Sequence, residues 1–164
     1  MATDHVEKVL AQWRRERPDL DCTPMGLWGR LQRAHGLSRP MIEKVFKAFG
    51  LASNDFDVLA TLRRSGAPYS LTPTELYRSA MLSSGAMTNR IDRLEQKGLV
   101  RRLPSQEDRR SLKVQLTEDG LALIDRAVAA HVANERTMMA PLDEAEQAQL
   151  KSLLGKWLAA HEDR

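Results

Sequence analysis

The sequence predicts a mainly α-helical chain that carries one small β-wing. Three observations predict it. Apolar residues recur at helical spacing through most of the 164 residues. Between Leu99 and Leu116 that spacing gives way to two short alternating runs around a Pro104–Ser111 loop. And the stretch Leu71–Gly120 reads, in order, as helix, turn, helix, basic two-stranded ribbon and the start of another helix. That is the order of a winged helix-turn-helix, a module that lays one helix in the DNA major groove with a ribbon beside it. The expected layout is a single domain over 1–164, with an extra N-terminal helix at 4–16, dimerisation helices at 23–50 and 118–161, and the winged helix-turn-helix at 53–117.

Each element has a local reason. Val6, Val9, Leu10 and Trp13 form an i, i+3, i+4, i+7 stripe, and Pro18 ends that helix by disfavouring a helical residue before it. Thr23-Pro24 opens the next helix, since proline at the first helical position loses no needed N–H. It carries Met25, Leu27, Trp28 and Leu31. Gly36–Pro40 then bends or interrupts the pattern, with Ser38 as a cap for Met41, Ile42, Val45, Phe46 and Phe49, so residues 23–50 read equally as one kinked helix or as two. Gly50 is the stop.

Ser53 is the expected cap of a helix over 54–65 with Phe56, Leu59 and Leu62 inward. Thr72-Pro73-Thr74-Glu75 is a capping box ahead of a short helix. Ser83 or Ser84 caps the following helix, which runs to about Lys97 with Met87, Ile91 and Leu94 inward and Gly98 as its stop. Ser84, Gly85, Thr88, Asn89, Asp92 and Arg93 are left on its outer face, where small and polar residues approach bases and phosphates. Leu99–Leu103 and Lys113–Leu116 are the expected strands, with Arg109 and Arg110 near the tip of the loop between them. Thr117 caps a helix through Leu121, Leu123, Ile124, Ala127, Val128 and Val132. Pro141-Leu142-Asp143 opens the last, with Leu150, Leu153, Leu154, Trp157 and Leu158. A winged helix alone cannot cover the apolar faces of both terminal regions, so they are expected to pair across a two-fold axis, placing two reading helices about one DNA turn apart.

Charge supports nucleic acid through its distribution. The net charge is +3, but Thr88–Lys113 holds eight Lys or Arg against four Asp or Glu, so the surplus sits on the reading helix and ribbon. Met1–Lys8 lack an apolar core, and no run reaches the ~18 apolar residues of a membrane span, so a cytoplasmic chain is expected. His5, His35, His131 and His161 are scattered over different elements, in no metal-binding spacing, and His35 and His131 read as interface or surface residues. No nucleophile elbow, P-loop or dinucleotide fingerprint occurs. An enzyme is therefore not expected, and neither a cofactor nor a metal is implied.

Asp108-Arg109-Arg110-Ser111, followed by Val114-Gln115-Leu116-Thr117-Glu118-Asp119-Gly120, resembles the wing signature of the MarR family of bacterial transcription regulators. Leu94-Glu95-Gln96-Lys97-Gly98-Leu99-Val100 is similar to a second family segment, and the likeness covers nearly the whole chain. It implies a homodimer on double-stranded operator DNA. Asp108 would brace the wing, Arg109 and Arg110 would reach DNA from it, and Ser84, Thr88, Asn89 and Arg93 would read bases. Many family wings begin with Asp-Pro, whereas this one has Pro104-Ser105-Gln106-Glu107.

The chain further resembles the urate-responsive, PecS- and HucR-like branch of that family. The branch carries an extra N-terminal helix and a four-residue ligand set, whose matching positions are Trp13, Asp57, Arg90 and Arg102. The resemblance implies a repressor released by a small aromatic anion, urate or a related purine or phenolic. The chemistry suits such a ligand, because tryptophan supplies a flat wall, arginine supplies fixed donors and an aspartate repels an incoming anion. Two other readings stand beside it. One is a redox-sensing regulator acting through Cys22, against which Asp19 and Asp21 disfavour a thiolate. The other is a winged-helix module that binds protein instead of DNA.

Overall fold

The computed structural model describes residues 4–79, 87–104 and 112–162. They form two compact units, 1–41 and 42–164. The first holds helix α1 (His5–Glu16) and most of helix α2 (Thr23–Ala48). Asp4 caps α1 by accepting from the Glu7 N–H at 2.8 Å. Val6 and Leu10, the centre of the predicted stripe, are buried with Cys22. Arg30 reaches Asp4 at 2.8 Å and Glu7 at 3.4 Å, an exposed pair of bridges from α2 to α1.

The open question over residues 23–50 resolves as one helix. Gly36 and Pro40 both lie inside α2. Ser38 does not cap a new helix: its hydroxyl donates to the His35 carbonyl 3.1 Å away, as a serine inside a continuing helix does.

The second unit contains helices α3 (Ser53–Arg64), α4 (Pro73–Ser79), α5 (Met87–Gln96), α6 (Glu118–Met139) and α7 (Glu144–Glu162), and strands β1 (Ser70–Leu71), β2 (Val100–Pro104) and β3 (Leu112–Leu116). Its core is built from Val58, Leu59 and Leu62 of α3, Leu76 of α4, Met87, Ile91 and Leu94 of α5, Val100, Val114 and Leu116 of the sheet, and Ile124 and Ala127 of α6. These are the faces that helical and strand periodicity marks as inward.

Two local expectations need correction. Ala52, not Ser53, occupies the cap position of α3, and no side chain caps it. The wing is a three-stranded antiparallel sheet of order β1-β3-β2, not a two-stranded ribbon. Val100 pairs with Leu116 and Leu103 with Lys113, while Ser70 adds to the other edge opposite Gln115. A two-residue strand is too short for alternation to reveal.

The caps behave as their chemistry requires. Thr72 Oγ1 accepts from the Glu75 N–H at 3.2 Å, and Glu75 Oε2 accepts from the Thr72 N–H at 2.7 Å. These donors hold the Glu75 carboxyl below the usual carboxylate range, the Thr72 backbone N–H contributing most. At the end of α5 the Leu99 N–H bonds the Leu94 carbonyl and Gly98 adopts φ +70°, the left-handed stop predicted for it. Thr117 caps α6 through the Gly120 N–H at 3.0 Å. Gly120 is required for a different reason: a β-carbon there would lie 1.9 Å from the Leu99 carbonyl oxygen.

Candidate DNA interface and ligand site

Helix α5, the expected reading helix, packs its apolar face inward and turns Thr88 and Asn89 outward. Both are exposed, as base- or phosphate-contacting residues must be. Ser84, Asp108, Arg109 and Arg110 lie outside the described residues. Arg93 is also exposed, but its guanidinium is engaged: Nη2 donates to Asp55 Oδ1 of α3 at 3.0 Å. Lys97, one turn on, approaches Asp55 Oδ2 at 3.7 Å and donates to the Gly50 carbonyl at 2.9 Å.

On its other flank α5 meets the wing. Arg102 of β2 is half-buried and pairs with both Asp92 and Glu95 of α5, while its backbone N–H donates to Glu95 Oε1 at 2.9 Å. The Asp92 carboxylate leads in raising the Arg102 pKa above its ordinary value, so this group stays a cation. Arg101, the next residue along the strand, faces away and donates twice to Gln115 Oε1, at 2.9 and 2.7 Å.

Of the four residues implied as a ligand set, Asp57, Arg90 and Arg102 fall in the second unit on α3, α5 and β2, and α3 and β2 both pack against α5. Arg90 is the unusual one. It is only 8% exposed, on a helix whose neighbouring charged residues reach the surface. Asp57 is half-buried. Trp13 belongs to the first unit, on α1, and is 39% exposed.

An aromatic cluster lies in the same unit as the arginines. Phe46 stacks on Phe56 with ring centroids 4.0 Å apart, and the His131 ring meets them at 5.0 and 5.2 Å. His131 Nε2 lies 3.2 Å from Glu135, and its Nδ1 is buried without a hydrogen bond among the described residues. His131 is therefore not a plain surface residue; it fills the space between α2, α3 and α6, which no sequence spacing signals. Asp55 was likewise missed. It looks like an ordinary first-turn acid, and its partners lie 38 and 42 positions away.

Cys22 is buried against Val6 and Leu10. Burial limits the access of oxidants to this thiol, which works against the redox reading. No group of three metal-ligating side chains occurs among the described residues. No helix among them is long and apolar enough to cross a membrane.

Comparison with known proteins agrees with the geometry. The MarR family profile matches residues 51–112, the span from the end of α2 to the start of β3. The chain is 46% identical over 151 residues to the transcriptional regulator PecS of Dickeya dadantii, covering 92% of this chain and 91% of that protein. AbsC, a MarR family transcriptional regulator of Streptomyces coelicolor, superposes with a TM-score of 0.78 at 27% identity, covering 88% of this chain and 98% of that one. A mutant MarR of E. coli solved with operator DNA gives a TM-score of 0.71 at 25% identity, covering 89% and 97%. The exposed reading helix, the wing and these relatives together place the chain in the MarR family, as a PecS-like DNA-binding transcriptional regulator and not an enzyme.

Proposed function

We propose that this regulator is a homodimeric cytoplasmic repressor, released from a pseudopalindromic operator by urate or a similar small aromatic anion. One observation carries the ligand part: Arg90, a cation, is almost completely buried on the very helix that presents Thr88 and Asn89. Burying a guanidinium is costly unless something negative answers it, and a planar oxyanion is a natural answer. Asp57 on the neighbouring helix α3 would be repelled by the same anion. Ligand entry would then push α3 and α5 apart and move the reading helix, a two-state coupling of ligand to DNA. Trp13 joins this set by the resemblance to the branch and is tested with it by substitution. Arg102 would join by exchanging Asp92 or Glu95 for the ligand. Similarity to PecS fits the resemblance to the urate-responsive branch.

On the DNA side, Ser84, Thr88 and Asn89 would read bases, Arg109 and Arg110 would contact DNA from the wing, and Asp108 would brace it; Arg93, expected with the base readers, has its guanidinium on Asp55. The test is titration of urate against the protein–operator complex. Wild-type chain is expected to release DNA as urate rises, with Trp13→Phe and Arg90→Ala needing roughly tenfold more ligand or failing to respond. Equal release by all three proteins would sink the four-residue site while leaving DNA binding intact.

A further inference from the structure

We propose that Asp55 is a positioning residue for DNA recognition: its buried carboxylate is the fixed point against which the reading helix is set. The inference rests on DNA binding alone and not on any ligand.

Asp55 sits in the first turn of α3 and is 3% exposed. Arg93 lies in the last turn of α5 and Lys97 directly follows the helix, its N–H still bonded to the Arg93 carbonyl, and both reach back to that carboxylate. The asymmetry is the informative part. The anion is sealed, while the two cations are half in water. A cation left without its partner in that position is simply solvated, but a carboxylate left without its partners is a buried unpaired charge. The arrangement therefore penalises any displacement of α5 that withdraws Arg93.

Apolar packing does not do this work. Met87, Ile91 and Leu94 fix how deeply α5 sits, but hydrophobic contact is non-directional and resists sliding or rotation poorly. A charge-assisted hydrogen bond is directional. A second grip acts from the opposite side with opposite polarity, where Asp92 and Glu95 of α5 hold Arg102 of β2. Arg93 is thus tied to α3, and the anions Asp92 and Glu95 to the wing. Thr88 and Asn89 are held at one azimuth between them.

The bland alternative is that Asp55 merely stabilises the start of α3 through the helix dipole. That role needs a negative charge at the helix start and is blind to Arg93. The experiment uses the full chain and a duplex selected from a random-sequence pool by the unaltered protein. Asp55→Asn, Arg93→Gln and the double variant are compared for selected versus non-specific DNA affinity, for salt dependence and for thermal midpoint. Each single change is expected to lower the ratio of selected to non-specific affinity about tenfold, and the double change no further, because both break one interaction. The salt slope should stay unchanged, since no phosphate contact is lost. Two outcomes would overturn the proposal. One is additive losses, or a salt slope reduced by about one unit in Arg93→Gln, which makes Arg93 a DNA contact. The other is a lowered thermal midpoint in Asp55→Asn with the ratio unchanged, which makes Asp55 a helix-start residue only. Should Asp55→Asn fail to fold, Asp55→Glu takes its place, because it keeps the negative charge at the helix start and moves the carboxylate relative to Arg93.

Discussion

Helices α5 and α7 are both amphipathic, yet the chain treats them oppositely. The apolar residues Met87, Ile91 and Leu94 of α5 are all buried within the chain itself. Those of α7 are not: Leu150, Leu153, Leu154, Trp157 and Leu158 are each 37–59% exposed, and α7 has no buried residue at all. The charged residues differ in the same sense. Arg93 of α5 and Lys97 just beyond it are tied to α3 and Asp92 and Glu95 to β2, whereas the bonds seen at the two ends of α7 stay within it or run to residues 139–143 just before it. The reading helix is completed by its own chain. The last helix leaves a row of large apolar side chains exposed, as helices that meet a partner do. The position of α5 is thus built into its own chain; in the proposed dimer, the pairing of two such helices would be left to the ends of the chain.

That contrast can be broken experimentally. The largest effect is expected from Leu94→Ala, which opens a cavity in a fully buried site and should cost about 2–5 kcal/mol in urea unfolding. A cost below about 1 kcal/mol would mean that α5 is less dependent on its own chain than its burial implies. Trp157→Ala on α7 is expected to weaken self-association by about 2 kcal/mol or more, seen as a concentration-dependent shift towards monomer in sedimentation, with helical content retained. An unchanged association state would remove α7 from the dimer interface. The smallest effect belongs to a helix start. Thr72→Ala should cost about 1 kcal/mol by removing one half of the α4 capping box. Its pH dependence has a definite sign. The folded Glu75 pKa lies below its ordinary value of 4.5, so its contribution is present at neutral pH and is lost as pH falls through the folded value. The gap between variant and parent should narrow as pH falls through the folded Glu75 value, by the share due to the Thr72 hydroxyl–carboxylate bond, and keep the share due to the Glu75 N–H bond to Thr72 Oγ1. A gap wholly independent of pH would show that the hydroxyl–carboxylate bond contributes nothing.

Much of the fold was legible because its determinants are local. The Thr72–Glu75 box, the Thr117 cap and the Gly98 stop each lie within a few residues, and the structure shows all three where the residues place them. The inward faces of α3, α5 and α6 followed from periodicity for the same reason. Errors arose where neighbouring residues offer two local answers of similar quality. Ser38 and Ser53 are good caps by type, but one lies inside a helix that continues through Pro40 and the other is one position late. Strand β1 escaped because pairing with β3, and not its own two residues, makes it a strand.

The candidate site divides along the same line. Outward placement of Thr88 and Asn89 depends only on the angle each residue takes about α5, once its apolar face is known. The partner of Arg93 depends on how α3 packs against α5. Asp55 and Asp57 are both acids on α3, two residues and about 200° apart, so only packing decides which of them meets the arginine. The burial of Arg90 and the aromatic contacts of His131 have the same origin. By itself the amino-acid order determined which segments are helices, where most of them start and stop, and which residues face inward, since those follow from hydrogen bonds and periodicity over a turn or two. Tertiary structure decided which charges meet, because an ion pair spanning 38 residues exists only once hydrophobic packing has brought two helices to one distance and one rotation.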